Sequence, residues 1–506
     1  VLGTTPTCDD FNVCTAESCS SALNRCAYDA VPDGTPCDDR NPSTTNDVCR
    51  NGICNDGYAT RRVSETADHQ SPNFHSEKPF LSDDGRYIAF QSESTNLAPG
   101  GDGNNATDVF VVDVAGGAPV RVSTSAAGTE GNNISRLGTP NRGLPGNAIS
   151  GNGQLIAFLS LANNLVPNDT NNDWDVFVKD RISGDIRRVS VTSSGGEANT
   201  PGNAFRWRTY ANLNGEPALS QDGRYVVFSS FASNLVANDR NDLMDIFRHD
   251  LLTGETILVS ISSSGAQGNG DSDMPSVSQD GNCVAFRSLS GNINHDPLRP
   301  DNNSQYDIYL RELSSGVTRR ISQAYDGGET NNVSYYPRIN AECTQISYVS
   351  WADNLVPGDT NETLDVFSQG TAGGPTLRVN VTATGVQGNL RTGGPPSINR
   401  NGRYIAFYSW ATIFGTEDNN LFCNYRAIVN SKNCVDIFVK DMWTGELRMM
   451  SLTSNGDEAW QNSQDPSISG DGTGLAFGSY ANNLDPDKWS GYQDIFYVRT
   501  LLAPSP

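Results

Sequence analysis

The sequence predicts an all-β fold: a seven-bladed β-propeller of four-stranded blades, preceded by a small disulfide-rich module. Three observations carry that expectation. A strand–turn–strand unit recurs through residues 58–506, an oxygen-rich loop follows each copy, and seven of the eleven cysteines fall within the first 54 residues. Self-similarity at a regular interval marks a repeat architecture, in which chain length no longer counts domains. Apolar residues make up 36% of the 506 and charged residues 18%, with Asn, Asp, Ser and Thr between short apolar runs. Short strands joined by polar turns have that composition; amphipathic helices do not.

The module comes first, over residues 1–57. Cys8-Asp9-Asp10-Phe11-Asn12-Val13-Cys14-Thr15 is followed by Cys19 and Cys26. A second half repeats it: Cys37-Asp38-Asp39-Arg40-Asn41-Pro42-Ser43-Thr44, then Cys49 and Cys54. So short a segment buries too little apolar surface to fold unaided, and disulfides are its expected support. Zinc is disfavoured, because there are no paired C-x2-C knuckles and no histidine among the cysteines. Ser43 stands where a cysteine is expected, so one thiol is left over, either free or bonded to the propeller or another chain. Connectivity stays open. The halves resemble the CDDGNxCT-type Cys-rich repeats of secreted bacterial and slime-mould surface proteins. A spacer and a docking arm for a neighbouring subunit are the two readings of such a segment.

The blades follow. Pro217-Ala218-Leu219-Ser220-Gln221-Asp222-Gly223-Arg224-Tyr225-Val226-Val227-Phe228 reads as strand, Asp-Gly turn, strand. Equivalents centre on Gly85, Gly153, Gly281, Gly402 and Gly472; a seventh, Pro337 to Cys343, has Cys343 in the glycine's place. Third strands open on Asp108, Asp175, Asp245, Asp307, Asp365, Asp436 and Asp494. Fourth strands such as Arg187-Arg188-Val189-Ser190-Val191 follow six of them. The last repeat lacks one, and Thr60-Arg61-Arg62-Val63-Ser64, within residues 58–65, supplies the missing pattern. An N-terminal strand therefore closes the last blade and removes an open edge. The alternative of six blades leaves strands unplaced. The S-x-D-G-x-x-[IV]-A-F unit followed by N-L-V-P-x-D-T-N and D-V-F resembles the TolB-type propeller repeat of secreted bacterial proteins. That resemblance implies a fold and a compartment, and no single activity.

The loops carry the most chemistry. Their spacing recurs as Asp102/Asn104/Asp108, Asp169/Asn171/Asp175, Asp239/Asn241/Asp245, Asp301/Asn303/Asp307 and Asp359/Asn361/Asp365. Calcium takes six to eight oxygens at about 2.3–2.6 Å, and clustered Asp and Asn with loop carbonyls can supply them. Five such triplets predict calcium in several loops; Asx-turns are the competing account. Blade six keeps Asp418 and Asn420 but displaces Asp436 by an insert, and blade seven has Lys488 at the first Asp. Cys423 and Cys434 bracket that insert and are expected to be bonded. Cys283 and Cys343 lie at the same end of adjacent blades, where a staple and two buried thiols are both open.

A net charge of −23 argues against a nucleic-acid partner, whose phosphates need Lys/Arg clusters, and disfavours anionic membrane surfaces. No run reaches the length of an apolar membrane span. The chain opens at Val1-Leu2-Gly3 without a signal-like stretch, which predicts a processed N-terminus. Cysteine usage predicts an extracellular or cell-surface location. The S-x-D-G turns lack the tryptophan of a sialidase Asp-box, and His69, His75, His249 and His295 have no metal or triad spacing. Sequons at Asn105, Asn332 and Asn380 are expected by chance in so Asn-rich a chain.

The functional expectation is a non-enzymatic secreted or surface scaffold, with calcium-stabilised loops and a protein partner. That partner includes further copies of the chain, joined through the N-terminal module into a layer or filament. A lectin-like propeller using the basic aromatic loop Arg206, Trp207, Arg208 and Tyr210 is the alternative, with glycan or protein as ligand. A hydrolase or lyase in the central channel ranks third, since the acidic residues are the repeated ones.

Overall fold

The computed structural model describes residues 14–20, 25–31, 35–37, 48–50, 53–55, 60–138, 146–199, 214–294, 296, 301–414, 434–454, 456–485, 487–488, 491–500 and 502. It is all-β, and seven four-stranded antiparallel sheets form the blades. In blade one the strands run Ser76–Leu81, Tyr87–Ser92, Asp108–Asp113 and Val120–Arg121, from the inside outward. Blade seven takes its outer strand, Arg61–Arg62, from the opposite end of the propeller. Phe496 faces Arg62 and Tyr497 faces Arg61 across that pairing. The N-terminal region forms two hairpins, Thr15–Ser20 with Arg25–Ala30 and Val48–Arg50 with Ile53–Asn55. A Cys14–Cys49 disulfide joins them.

The apolar letters of the repeat have a common use. The aromatic residue of A-F and that of D-V-F stack within each blade, with ring centroids 5.8–6.0 Å apart in all seven pairs; five are Phe–Phe, and Phe286–Tyr309 and Tyr348–Phe367 are mixed. The hydrophobic cores lie between blades: Phe80, Val109 and Val111 of blade one bury against Ile156 and Phe158 of blade two. Alternation along each strand supplies both faces of the sheet.

The S-x-D-G turn is a latch. Ser82 Oγ donates to Asp84 Oδ1 at 2.5 Å and accepts from the Tyr87 N–H at 2.9 Å, while Asp84 Oδ1 accepts from the Arg86 N–H at 3.1 Å. The glycine has two duties. Gly153 is left-handed at φ 69°, and a Cβ there would come within 2.2 Å of the Tyr87 ring of the preceding blade. Tyr225 covers Gly281 in the same manner. Between blades four and five the same two positions are Cys283 and Cys343, and a disulfide replaces the ring-on-glycine contact.

The first turns also bond to one another around the channel. Gly151 N–H donates to Gln221 O at 2.8 Å, Gln279 N–H to Ala341 O at 2.9 Å, and Gly470 N–H to Asp83 O at 2.8 Å. Asp84 N–H to Gly151 O, Asp222 N–H to Gln279 O, Arg400 N–H to Gly470 O and Asn340 Nδ2 to Arg400 O complete the ring. An Arg400–Asp83 ion pair joins blade six to blade one at this level. Further along, the inner strands bulge at X-Pro steps, where Lys78, Met274, Tyr336 and Asp465 are left-handed at φ 54–57°. Such a conformation costs roughly 1–2 kcal/mol per L-residue.

Candidate functional site

Each oxygen-rich loop delivers its last aspartate to the start of the third strand, where the side chain is buried: Asp175, Asp245, Asp307 and Asp365 have no exposed surface. A buried carboxylate needs partners. One comes from the end of the same blade's outer strand: Ser123 donates to Asp108 at 2.7 Å, Ser190 to Asp175 at 2.5 Å and Ser322 to Asp307 at 2.6 Å. Asn380 fills that place for Asp365, and Ser64 of the closing strand fills it for Asp494.

The middle asparagine works as a turn residue. Asn171 Oδ1 accepts from the Asp173 N–H at 3.0 Å, while its amide donates to Asp175 Oδ2 at 3.0 Å. Asn241, Asn303 and Asn361 repeat both contacts. Asn104 Oδ1 accepts from the Ala106 N–H, and its amide goes to Gly131 O.

A cation from the chain itself meets the carboxylates in five blades. Arg121 lies 2.9 Å from Asp108 and 2.8 Å from Glu130. Arg188 lies 3.3 Å from both Asp169 and Asp175 and 2.5 Å from Glu197. Arg320 stands 3.6 Å from Asp301 and Asp307; Arg378 is 3.7 Å from Asp359 and 4.0 Å from Asp365. In blade seven Lys488 is 3.1 Å from Asp494, and Arg62 is 3.1 Å from Asp485. These arginines occupy one register position, opposite the stacked aromatic of the third strand. They are the Arg of the R-[VI]-[SN] ending of the outer strand. Sequence reading used that ending to count strands and missed that it writes both partners of the buried aspartate.

Blade three departs from this rule. Leu258 takes the arginine position opposite Phe247. Asp239 and Asp245 are instead bridged by Gln267, whose Nε2 donates at 2.8 and 2.9 Å. In blade six Met449 takes the position, and Ser451 donates to Asp436 at 2.6 Å; Asp418 and Asn420 lie outside the described residues.

Burial dominates the electrostatics. It pushes the Asp108 carboxyl up to about 7, with Ser123 and Arg121 opposing. It takes Asp169, Asp245, Asp307 and Asp365 to about 6. In blades one and two the carboxylates of Asp102, Asp108 and Glu130, and of Asp169, Asp175 and Glu197, have oxygens within 4.8 Å of one another, the spacing of a cation site. A guanidinium already supplies positive charge at both. Among the described residues, blade three alone pairs two loop carboxylates with no cation of the chain.

Other marked residues scatter. His249 is buried and bonds Thr256, His75 accepts from the Gln493 N–H, and His69 meets Glu65 at the surface. Asn380 is buried beneath Asp365, whereas Asn105 and Asn332 are exposed. Cys37 and Cys434 are disulfide-bonded. Cys19 faces Cys26, and Cys49 faces Cys54, in backbone register. Cys8, Cys423 and the Arg206, Trp207, Arg208, Tyr210 loop lie outside the described residues. No helix among the described residues is long and apolar enough to cross a membrane, which says nothing of strands.

No protein-family model matches the chain, and no curated protein does. Solved structures are similar to it. A putative TolB from Agrobacterium tumefaciens is 16% identical, covering 60% of this chain and 80% of its own, with a TM-score of 0.35. An oligogalacturonate lyase from Vibrio parahaemolyticus is 12% identical over 87% of this chain and 96% of its own, at 0.47. An acylaminoacyl peptidase from Pyrococcus horikoshii is 10% identical over 80% of this chain and 49% of its own, at 0.41. The expectation of a non-enzymatic protein is corrected here, because the solved structures similar to the chain include a lyase and peptidases. A propeller can gather catalytic groups from separate blades, so the lack of a local sequence motif does not exclude catalysis. The chain is a seven-bladed β-propeller, and the solved structures similar to it include TolB-type proteins and enzymes alike.

Proposed function

We propose that this chain is an extracytoplasmic interaction propeller: a rigid ring tethered to protein partners, including further copies of itself, through its N-terminal disulfide-rich module. The observation that carries this reading is the closing strand. Arg61–Arg62, directly downstream of the module, is the outer strand of blade seven, so a load on the module reaches the ring where it closes. The Cys283–Cys343 staple and the ring of turn-to-turn hydrogen bonds stiffen the same body. Disulfides persist in oxidising compartments, which supports a secreted or surface location. Assembly into a layer or filament is the form such head-to-tail contacts take when they do not close. Light scattering and electron microscopy of the full chain test it. Concentration-dependent oligomers that disappear when residues 1–57 are removed are expected; monodisperse monomer with and without the module goes against it.

Calcium belongs to this proposal at blade three. Its support is the pairing of Asp239 and Asp245 with no cation among the described residues, where blades one, two, four, five and seven have arginine or lysine. Turning over the Gln267 carboxamide, which contacts both carboxylates, presents its oxygen to the same point. Metal analysis of the purified protein, with and without chelator, is the test.

A further inference from the structure

At four seams between blades, polar side chains at the foot of the third strand, or beside it, tie that blade to the one before. Lys179 Nζ donates to Thr124 O, Ser125 O and Gly184 O, and Lys440 Nζ to Val381 O, Thr382 O and Gly445 O. Arg311 reaches Ser262 O and Gly316 O. Between blades two and three, His249 contacts Thr256, which donates to Val191 O. At the seam between blades four and five the equivalent residue is Gln369, and it turns back onto Gly374 O of its own hairpin. The small bridge that closes the incoming hairpin in blades one, two, three, five and six does not form in blade four. A cleft of about 480 Å³ opens there, the size of a small-molecule site.

Arg319 lines this cleft. Its Nε is buried without a hydrogen-bond partner, and among the described residues its guanidinium forms no ion pair. The opposite wall is the Gly370–Gly374 hairpin, where Gly373 and Gly374 at φ 99° and 111° carry no side chain into the space. Gln323, Gln369 and Thr371 add amide and hydroxyl groups, and no aromatic residue lines the cleft among the described residues. Asp296, the acidic residue of the lining, has an interaction of its own.

We propose that this cleft binds a small hydroxylated carboxylate, of the sugar-acid kind, through Arg319. A guanidinium offers two parallel N–H groups to a carboxylate, which would also satisfy the orphaned Nε. The amide and hydroxyl lining suits a polyol better than an aliphatic or aromatic acid. The surrounding charge of −23 repels anions in general, so recognition has to come from this direct pairing.

Gluconate and its neutral counterpart sorbitol are the probes, titrated into the full chain at constant ionic strength and followed by calorimetry and melting temperature. Saturable binding of gluconate and none of sorbitol is expected. Arg319→Gln should weaken gluconate binding at least tenfold. Arg187→Gln, at the equivalent position of blade two where Lys179 fills the seam, should leave it unchanged. Equal responses to gluconate and sorbitol, no response to gluconate, or gluconate binding untouched by Arg319→Gln would each overturn the proposal. The comparison of ligands on the unaltered protein stands even where the variant fails to fold.

Discussion

Arg188 lies 3.3 Å from the fully buried carboxylate of Asp175, its own side chain only 10% exposed. A guanidinium thus stands where three carboxylates converge. Breaking a buried pair by removing one partner costs about 3–5 kcal/mol, because a charge is left behind uncompensated. Arg188→Leu is therefore expected to lower stability by about that amount. The variant also places the leucine of blade three at this position, beside Glu197 where blade three has Gln267, and calcium should recover part of the loss. Thermal melts in chelator and in millimolar calcium check both parts.

The Cys283–Cys343 staple replaces a ring-on-glycine contact, and that equivalence can be tested. Cys343 is left-handed at φ 57°, a conformation glycine adopts freely. Losing the disulfide should cost about 2–4 kcal/mol. The double variant Cys283→Tyr, Cys343→Gly should recover much of this by rebuilding the Tyr225–Gly281 arrangement. Cys343→Ala should be the least stable of the set. Equal melting temperatures for Cys343→Ala and Cys343→Gly would remove the backbone part of this account.

The loop carboxylates set a pH dependence. Burial raises Asp108 to about 7 and Asp245, Asp307 and Asp365 to about 6, above an unfolded value near 3.8. Groups raised in the folded state bind protons more tightly there, so their stabilisation is full below the unfolded value and is lost as pH rises through 6–7. His249, lowered by burial, acts in the opposite direction and is a single group. In chelator the melting temperature should fall between pH 5 and pH 8. A rise over that interval contradicts the assignment.

Eleven cysteines cannot all pair within one chain. If the module is a covalent connector, a non-reducing gel shows a dimer that collapses on reduction. A monomer with one alkylatable thiol per chain argues against covalent linkage.

Much of the fold was legible because the repeat prints it seven times. The paired phenylalanines, the latch of Ser82, Asp84 and Gly85, and the closing strand at Arg61–Arg62 all follow from letters at fixed offsets. The site was half legible. Asp169 and Asp175 lie six residues apart, close enough for a local pattern to suggest a metal. Their countercharge, Arg188, lies 13 residues beyond Asp175 on another strand, and only sheet register shows that it points at the loop. The cleft at Arg319 was not legible at all, since it results from a side chain, Gln369, that fails to cross a seam. The exclusion of enzymatic function rested on missing motifs, and separate blades can assemble a site without one.

We propose that these loops are fasteners whose charge is balanced by a cation, supplied by the chain in five blades and by calcium in blade three. Leu258→Arg tests it most directly, because it installs the missing guanidinium opposite Phe247. Melting temperature is measured in chelator and in calcium for the unaltered chain and the variant. A calcium-dependent rise is expected in the unaltered chain and is abolished in Leu258→Arg, with the variant in chelator melting at or above the unaltered chain in chelator. An undiminished calcium response in the variant, or none in the unaltered chain, would contradict it.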